Sequence, residues 1–96
     1  MAAYVVFIRE GEITDPEAMA KYREGNGASA PPVAMKVHTV YGAHENIEGE
    51  DCDGIVILEF PDKQAASDWY YSEDYQSRAK FRRQAAPYRG FIVEGL

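Results

Sequence analysis

The sequence predicts an α+β fold: a ferredoxin-like βαββαβ domain, in which a four-stranded antiparallel sheet carries helices on one face. Three observations carry this. Strand-type and helix-type segments follow one another as strand, helix, strand, strand, helix pair, strand. Helix-start signals stand at Asp15-Pro16, Asp62 and Ser72, each just before a helix-forming stretch. The chain has 96 residues, which is one domain's worth and too few to bury a second layer on both sides of a sheet.

Each element has its own justification. Residues 4–8, Tyr-Val-Val-Phe-Ile, are β-branched or aromatic throughout and form the first strand. A turn follows around Gly11. The first helix begins at Asp15 as N-cap with Pro16 at the first helical position, while Thr14 and Glu17 offer an alternative capping box. Ala18, Met19 and Tyr22 form its apolar side, and Gly25 and Gly27 are expected to fray or end it. Pro31-Pro32 forbids helix and leads into an extended segment. The second strand is predicted over residues 34–43, with Met35, Val37, Thr39 and Tyr41 on one face and Lys36, His38, Val40 and Gly42 on the other. Residues 55–60 form the third strand, closed by Pro61-Asp62. Ala65, Ala66, Trp69 and Tyr70 mark the second helix. Ser72 caps a third, running from Glu73 to about Ala86 with Tyr75, Ala79 and Phe81 as apolar contacts, and Pro87 stops it. The last strand covers residues 88–94.

The strand faces imply a partner. A sheet with one wet face should alternate apolar and polar residues. Here Val5 and Phe7 oppose Tyr4, Val6 and Ile8, and Ile55 and Ile57 oppose Val56 and Leu58, so both faces are apolar. One face has no helix to cover it, and soluble monomers rarely leave such a patch bare. A homodimer that packs sheet against sheet, or closes the two sheets into a barrel, covers it by two-fold symmetry. A loop around residues 25–34 folding back over the sheet is the alternative.

Composition excludes several classes. The net charge of −6 argues against a nucleic-acid backbone as partner. No apolar run approaches the ~20 residues of a membrane span. The N-terminal residues lack the basic region and cleavage pattern of a secretory signal. One cysteine builds no intrachain disulfide, which fits a reducing, cytoplasmic setting. The charge is unevenly placed. Residues 45–53 carry Glu45, Glu48, Glu50, Asp51 and Asp53 with no cation, whereas residues 78–89 carry Arg78, Lys80, Arg82, Arg83 and Arg89 with no anion. The two runs read as solvated faces that can pair with each other, or the basic run faces a pocket for an anion.

Several residues suit chemistry. His38 and His44 lie near the second strand, where an imidazole serves as acid or base; the plain alternative is a strand histidine and a loop histidine. Glu59 interrupts an apolar strand and is either a pocket base or a strand-end carboxylate paired with Arg82. Trp69, Tyr70, Tyr75 and Tyr41 could line an aromatic pocket, with Trp69 equally suited to the core. A metal would need a third ligand, from Cys52 or a loop carboxylate. The acidic loop lacks calcium-loop spacing, so no metal is expected. Cys52 among acids is a poor nucleophile. Without a glycine-rich phosphate loop or nucleophile elbow, no cofactor is expected either.

The stretches VYGAHENIEG, ILEFPDKQAASDWYYSEDYQ and RGFIVEG resemble the bacterial family known as domain of unknown function 1330, from Tyr4 to Gly95. The matching residues are Glu59-Phe60-Pro61, Ala66, Trp69-Tyr70, Ser72, Tyr75 and, seven residues later, Arg82. Many members carry Arg-Gly-Gly in the second strand where this chain has Val40-Tyr41-Gly42, so no role passes to that arginine. The resemblance implies a dimeric α+β barrel, a group that includes cofactor-free monooxygenases, lactone isomerases and haem-degrading enzymes. Fold kinship does not choose among these. The expectation is a homodimer binding a small aromatic or anionic molecule between sheet and helices, with a cofactor-independent monooxygenase or isomerase as the enzymatic version. In that version Arg82 holds the anion and His38 or Glu59 moves a proton. A non-catalytic dimeric binding or stress-related module, with structural polar residues, is the other reading.

Overall fold

The computed structural model describes residues 1–28, 32 and 34–96, with the Ala28 side chain left out. Four strands and three helices follow the expected order: β1 (Ala3–Arg9), α1 (Pro16–Ala28), β2 (Lys36–Val40), β3 (Gly54–Phe60), α2 (Lys63–Tyr70), α3 (Glu73–Ala85) and β4 (Tyr88–Glu94). The strands form one sheet in the order β2-β3-β1-β4, and every neighbouring pair is antiparallel. That is the ferredoxin-like α+β arrangement, with β1 and β3 central.

Alternation decides the two faces. Ala3, Val5, Phe7, Val56, Leu58 and Phe60 are buried beneath the helices, joined by Ala66 of α2 and by Tyr75 and Ala79 of α3. A smaller cluster of Ala18, Met19 and Ala85 locks α1 to α3. Asp15 accepts from the Ala18 backbone N–H at 3.0 Å and from Gln84 at 2.8 Å, which caps α1 and ties its start to the end of α3. Those bonds, the backbone one foremost, hold the Asp15 carboxyl below the usual carboxylate range.

Three expectations change. First, α1 runs through Gly25 and Gly27 to Ala28 rather than ending there. Gly25 is a contact glycine: a Cβ at that position would lie 2.5 Å from Cδ of Arg78, so its hydrogen atom is what lets α1 approach α3. A Cβ at Gly27 meets nothing within 4 Å. Gly25→Val should therefore destabilise by about 1–3 kcal/mol through overpacking. Gly27→Ala should stabilise by up to about 1 kcal/mol. Paired thermal melts check both signs; equal and opposite results, with Gly25→Val the more stable, would refute the contact role.

Second, β2 is shorter than residues 34–43 and carries a bulge. Val37 pairs with Leu58 and Val40 with Val56, while the register shifts between Val37 and Thr39. The extra residue places Val37 and Val40 on the helix-side face, and breaks the simple alternation that put Val37 with Thr39 and His38 with Val40. Third, Tyr41 leaves the strand with φ of 57°, a left-handed backbone uncommon for a bulky residue. Of the Pro31-Pro32 pair and the 25–34 loop, residues 29–31 and 33 lie outside the described residues. Pro32 accepts a backbone hydrogen bond from Met35.

The open face of the sheet carries Tyr4, Val6, Ile8, Ile55, Ile57, Phe91 and Val93. No helix packs on it among the described residues, and Phe91 and Val93 are 48% and 51% exposed. The described ion pairs of the basic run reach Asp74 and Glu10, not the acidic loop. Among the described residues no helix is long and apolar enough to cross a membrane.

Candidate functional site

The site grows from the register of α3. Ser72 caps the helix, its hydroxyl accepting from the Tyr75 N–H at 3.1 Å. Glu73 and Asp74 in the first turn, and Arg82 and Arg83 in the last, suit the helix dipole. Starting there, the helix turns Tyr75, Ala79, Arg82 and Ala85 inward. Arg82 is thus carried into the interior and is only 3% exposed. Its guanidinium carbon lies 4.3 Å from the Phe7 ring centroid and 4.7 Å from that of Tyr88, between two aromatic faces.

Among the described residues the charge on Arg82 has no protein anion to meet it. Among the described residues no carboxylate forms an ion pair with it, and its buried Nε has no hydrogen-bond partner. The Tyr75 hydroxyl is a polar neighbour of its guanidinium. Burial raises the Tyr75 phenol well above its ordinary value, the Tyr22 hydroxyl raises it further, and Arg82 pulls against both. The phenol stays neutral and leaves the arginine uncompensated.

Arg82 and Phe7 line two cavities. The first, about 390 Å³, lies between the sheet, α1 and α3. Its apolar wall includes Phe7, Met19, Val37, Val56, Leu58 and Trp69. Arg23, Arg78 and Arg82 bring positive charge, and among the described residues Asp74 alone brings negative charge, bonded to Arg78 at 2.9 Å. The second, about 460 Å³, lies against α2 and β4 and is lined by Lys63, Arg82 and Arg83 with Tyr70, Tyr71 and Tyr88 and, among the described residues, by no carboxylate.

Two phenol pairs brace the first cavity. Tyr22 and Tyr75 share a hydroxyl hydrogen bond of 2.9 Å across α1 and α3. Tyr41 and Tyr88 share another across the sheet. The second pair depends on Gly54: a Cβ there would lie 2.5 Å from the Tyr41 ring, so only glycine lets that ring cross β3. The Arg9 guanidinium stacks 5.0 Å above it. Burial first, and the Tyr88 hydroxyl second, raise the Tyr41 phenol well above its ordinary value.

The expected site residues divide. Tyr41, Trp69, Tyr75 and Arg82 line the first cavity together. Trp69 is also core, its ring 4.1 Å from Tyr75 and 5.4 Å from Phe60. Tyr70 belongs to the second cavity. His38 and Glu59 join neither. They meet on the open face, His38 Nε2 to Glu59 Oε1 at 2.8 Å, with Lys36 3.9 Å from the same carboxylate. Convergence of His38, Glu59, Tyr70 and Arg82 on one cavity, and the Glu59–Arg82 pair, are therefore not what the fold builds. Glu59 pairs with Tyr4 across the sheet, and that position points away from the helices. Tyr22 and Tyr88 were legible only as an apolar helix position and a strand start; their hydroxyl roles need the tertiary contacts.

His38 and His44 also separate. His44 sits in the acidic loop, Nε2 3.0 Å from Asp51 Oδ1 and 3.8 Å from Cys52 Sγ. The Cys52 backbone N–H and then His44 hold the Asp51 carboxyl below its ordinary value. These three donors are the ones among the described residues that could share a metal ion.

A four-stranded antiparallel sheet with one helical face, enclosing an arginine-bearing cavity, defines a ferredoxin-like α+β protein. The chain belongs to the family described as domain of unknown function (DUF1330), whose model matches residues 2–96. No protein of curated function matches it by sequence. Among solved structures it is similar to RPA0582 of Rhodopseudomonas palustris, a protein of unknown function, at 20% identity and a TM-score of 0.64, covering 99% of this chain and 82% of that one. An ethyl tert-butyl ether D (EthD) family protein from Bacillus halodurans aligns over 100% of both chains, at 13% identity and a TM-score of 0.64. A dimeric protein of unknown function and ferredoxin-like fold from Bacteroides fragilis aligns over 98% of this chain and 95% of that one, at 13% identity and a TM-score of 0.59. At these identities the likeness concerns the fold.

Proposed function

We propose that this chain forms a homodimer through its open sheet faces and binds a small aromatic or otherwise apolar anion, a carboxylate in the simplest case, in the cavity of about 390 Å³. One observation carries the binding reading: Arg82, 3% exposed, has no carboxylate partner among the described residues. A buried unpaired charge is strongly disfavoured. It becomes favourable once an anion arrives with an apolar body that fits the surrounding rings. The volume lies within the ordinary range for small-molecule sites. The dimer rests on the bare apolar face, and the Bacteroides fragilis protein of like fold is described as dimeric.

Binding is favoured over proton transfer by His38 or Glu59, because that pair lies across the sheet from Arg82. Benzoate and phenylacetate, with benzamide as the uncharged control, test the reading by thermal shift and calorimetry. The acids should raise the melting temperature and benzamide should not. Arg82→Lys should keep part of the shift by keeping the charge. Acids that bind no better than the amide would overturn it.

A further inference from the structure

The acidic loop brings three different donor types to one point. His44 Nε2, Asp51 Oδ1 and Cys52 Sγ lie within 4.8 Å of one another, with the imidazole nitrogen 3.0 Å from the carboxylate and 3.8 Å from the sulfur. Zinc bonds of about 2.0–2.3 Å to N, O and S set tetrahedral edges of roughly 3.3–3.7 Å. The two spacings from the imidazole, 3.0 and 3.8 Å, bracket that range, and the third edge is within 4.8 Å, so rotations of side chains on a surface loop would complete the face. We propose that these residues form a binding site for a borderline-soft divalent cation of the zinc type.

The geometry discriminates against the other use of these residues. In a nucleophilic triad the base takes the thiol proton on one ring nitrogen and is held by the carboxylate on the other. Here the sulfur and the carboxylate both face Nε2. That is convergence on a point, not a relay. The donor set also selects the metal. Thiolate and imidazole favour zinc over calcium or magnesium, which want oxygen ligands.

The loop is built to hold this arrangement. Asp53 N–H bonds to the Arg9 carbonyl at 2.8 Å, and Tyr41 N–H to that of Ile55 at 2.9 Å, so both ends are pinned to the sheet. Between them Asn46 bonds to the Gly49 carbonyl at 2.9 Å. Glu45, Glu48, Glu50 and Asp53 on the same loop add negative potential that draws cations toward it.

Binding breaks the His44–Asp51 hydrogen bond, shifts the imidazole proton to Nδ1 and releases the Cys52 thiol proton to solvent. Thiolate plus carboxylate then balance the two positive charges, and the fourth position is left to water. Cobalt(II) serves as the spectroscopic probe on the purified full chain. It should produce a thiolate-to-cobalt charge-transfer band that zinc abolishes by competition. Cys52→Ser should remove the band, and His44→Ala should weaken zinc binding by at least the roughly tenfold that losing even a supporting residue costs. Zinc should also slow alkylation of Cys52 in the wild type. Because these side chains are on a surface loop, the variants are expected to fold, and circular dichroism verifies this. Absence of the band, or zinc binding in Cys52→Ser equal to that of the wild type, would overturn the site and leave only diffuse attraction to an acidic loop.

Discussion

Arg82→Met is expected to make the free protein more stable and the ligand-bound protein impossible. Methionine follows much of the arginine stem in length, and its thioether packs well beside rings. It removes a charge that no described carboxylate balances and a buried Nε that no described acceptor meets. The opposing loss is the stacking of the guanidinium on Phe7 and Tyr88, each contact being worth about 0.5–2 kcal/mol. Replacing buried charge by well-packed apolar atoms is commonly neutral or stabilising by about 1–4 kcal/mol. The net expectation is a gain of about 1 kcal/mol, or a melting temperature higher by roughly 4–8 °C for a domain of this size. The same variant should lose the thermal shift with benzoate. A structural arginine gives the opposite pattern, a lower melting temperature with no change in ligand response. Melts at matched protomer concentration, with and without benzoate, separate the two. The combination of a stability gain and a binding loss is what a site held ready for an absent anion should show.

The same physical feature made the fold readable and hid the site. Strand order, caps and the stop at Pro87 are local signals, and the structure follows them to within a residue or two in β1, β3, α3 and β4. Both faces of β1 and β3 are apolar, which reveals an uncovered face but cannot say which face it is. That choice depends on how the crossover helices pack back on the sheet, so Glu59 could be placed opposite Val56 and Leu58 without being placed away from Arg82. The bulge in β2 is invisible for a similar reason: one extra residue at His38 and Thr39 leaves no compositional mark, yet moves Val40 to the cavity side. Gly25 is ambiguous in sequence because a glycine that ends a helix and one that admits a neighbouring helix look alike; only the fold puts Arg78 Cδ 2.5 Å from where its Cβ would lie. Arg82 was legible as a cation in a basic run, as a position matching the family and as the candidate to hold an anion, but not as a buried residue. Its burial came from the three- and four-residue spacing with Tyr75 and Ala79, which the charge of the run obscured.

Val6→Lys should convert a dimer to a monomer without unfolding the protomer. Val6 lies at the middle of the open face, paired with Ile57 on one side and Phe91 on the other. The chain is a slab of about 34 × 34 × 18 Å, and two such slabs stacked sheet to sheet make a body about as thick as it is wide. In a monomer a lysine at this position reaches water and costs little. In a sheet-to-sheet dimer the two-fold axis brings two such charges into one dry interface. Breaking or inserting an unpaired buried charge costs about 3–5 kcal/mol, and doubling that by symmetry weakens association about 10⁴-fold or more. Light scattering should find a dimer for the wild type and a monomer for Val6→Lys, both with native circular dichroism. Lys63→Ala, on the helix side, should remain dimeric. Because the cavity lined by Arg82 lies on the opposite face, the monomeric variant should still respond to benzoate. A wild-type monomer, or a Val6→Lys dimer of unchanged affinity, would mean that the open face is covered by something other than its own copy. A monomer that no longer responds to benzoate would mean that the cavity depends on the dimer.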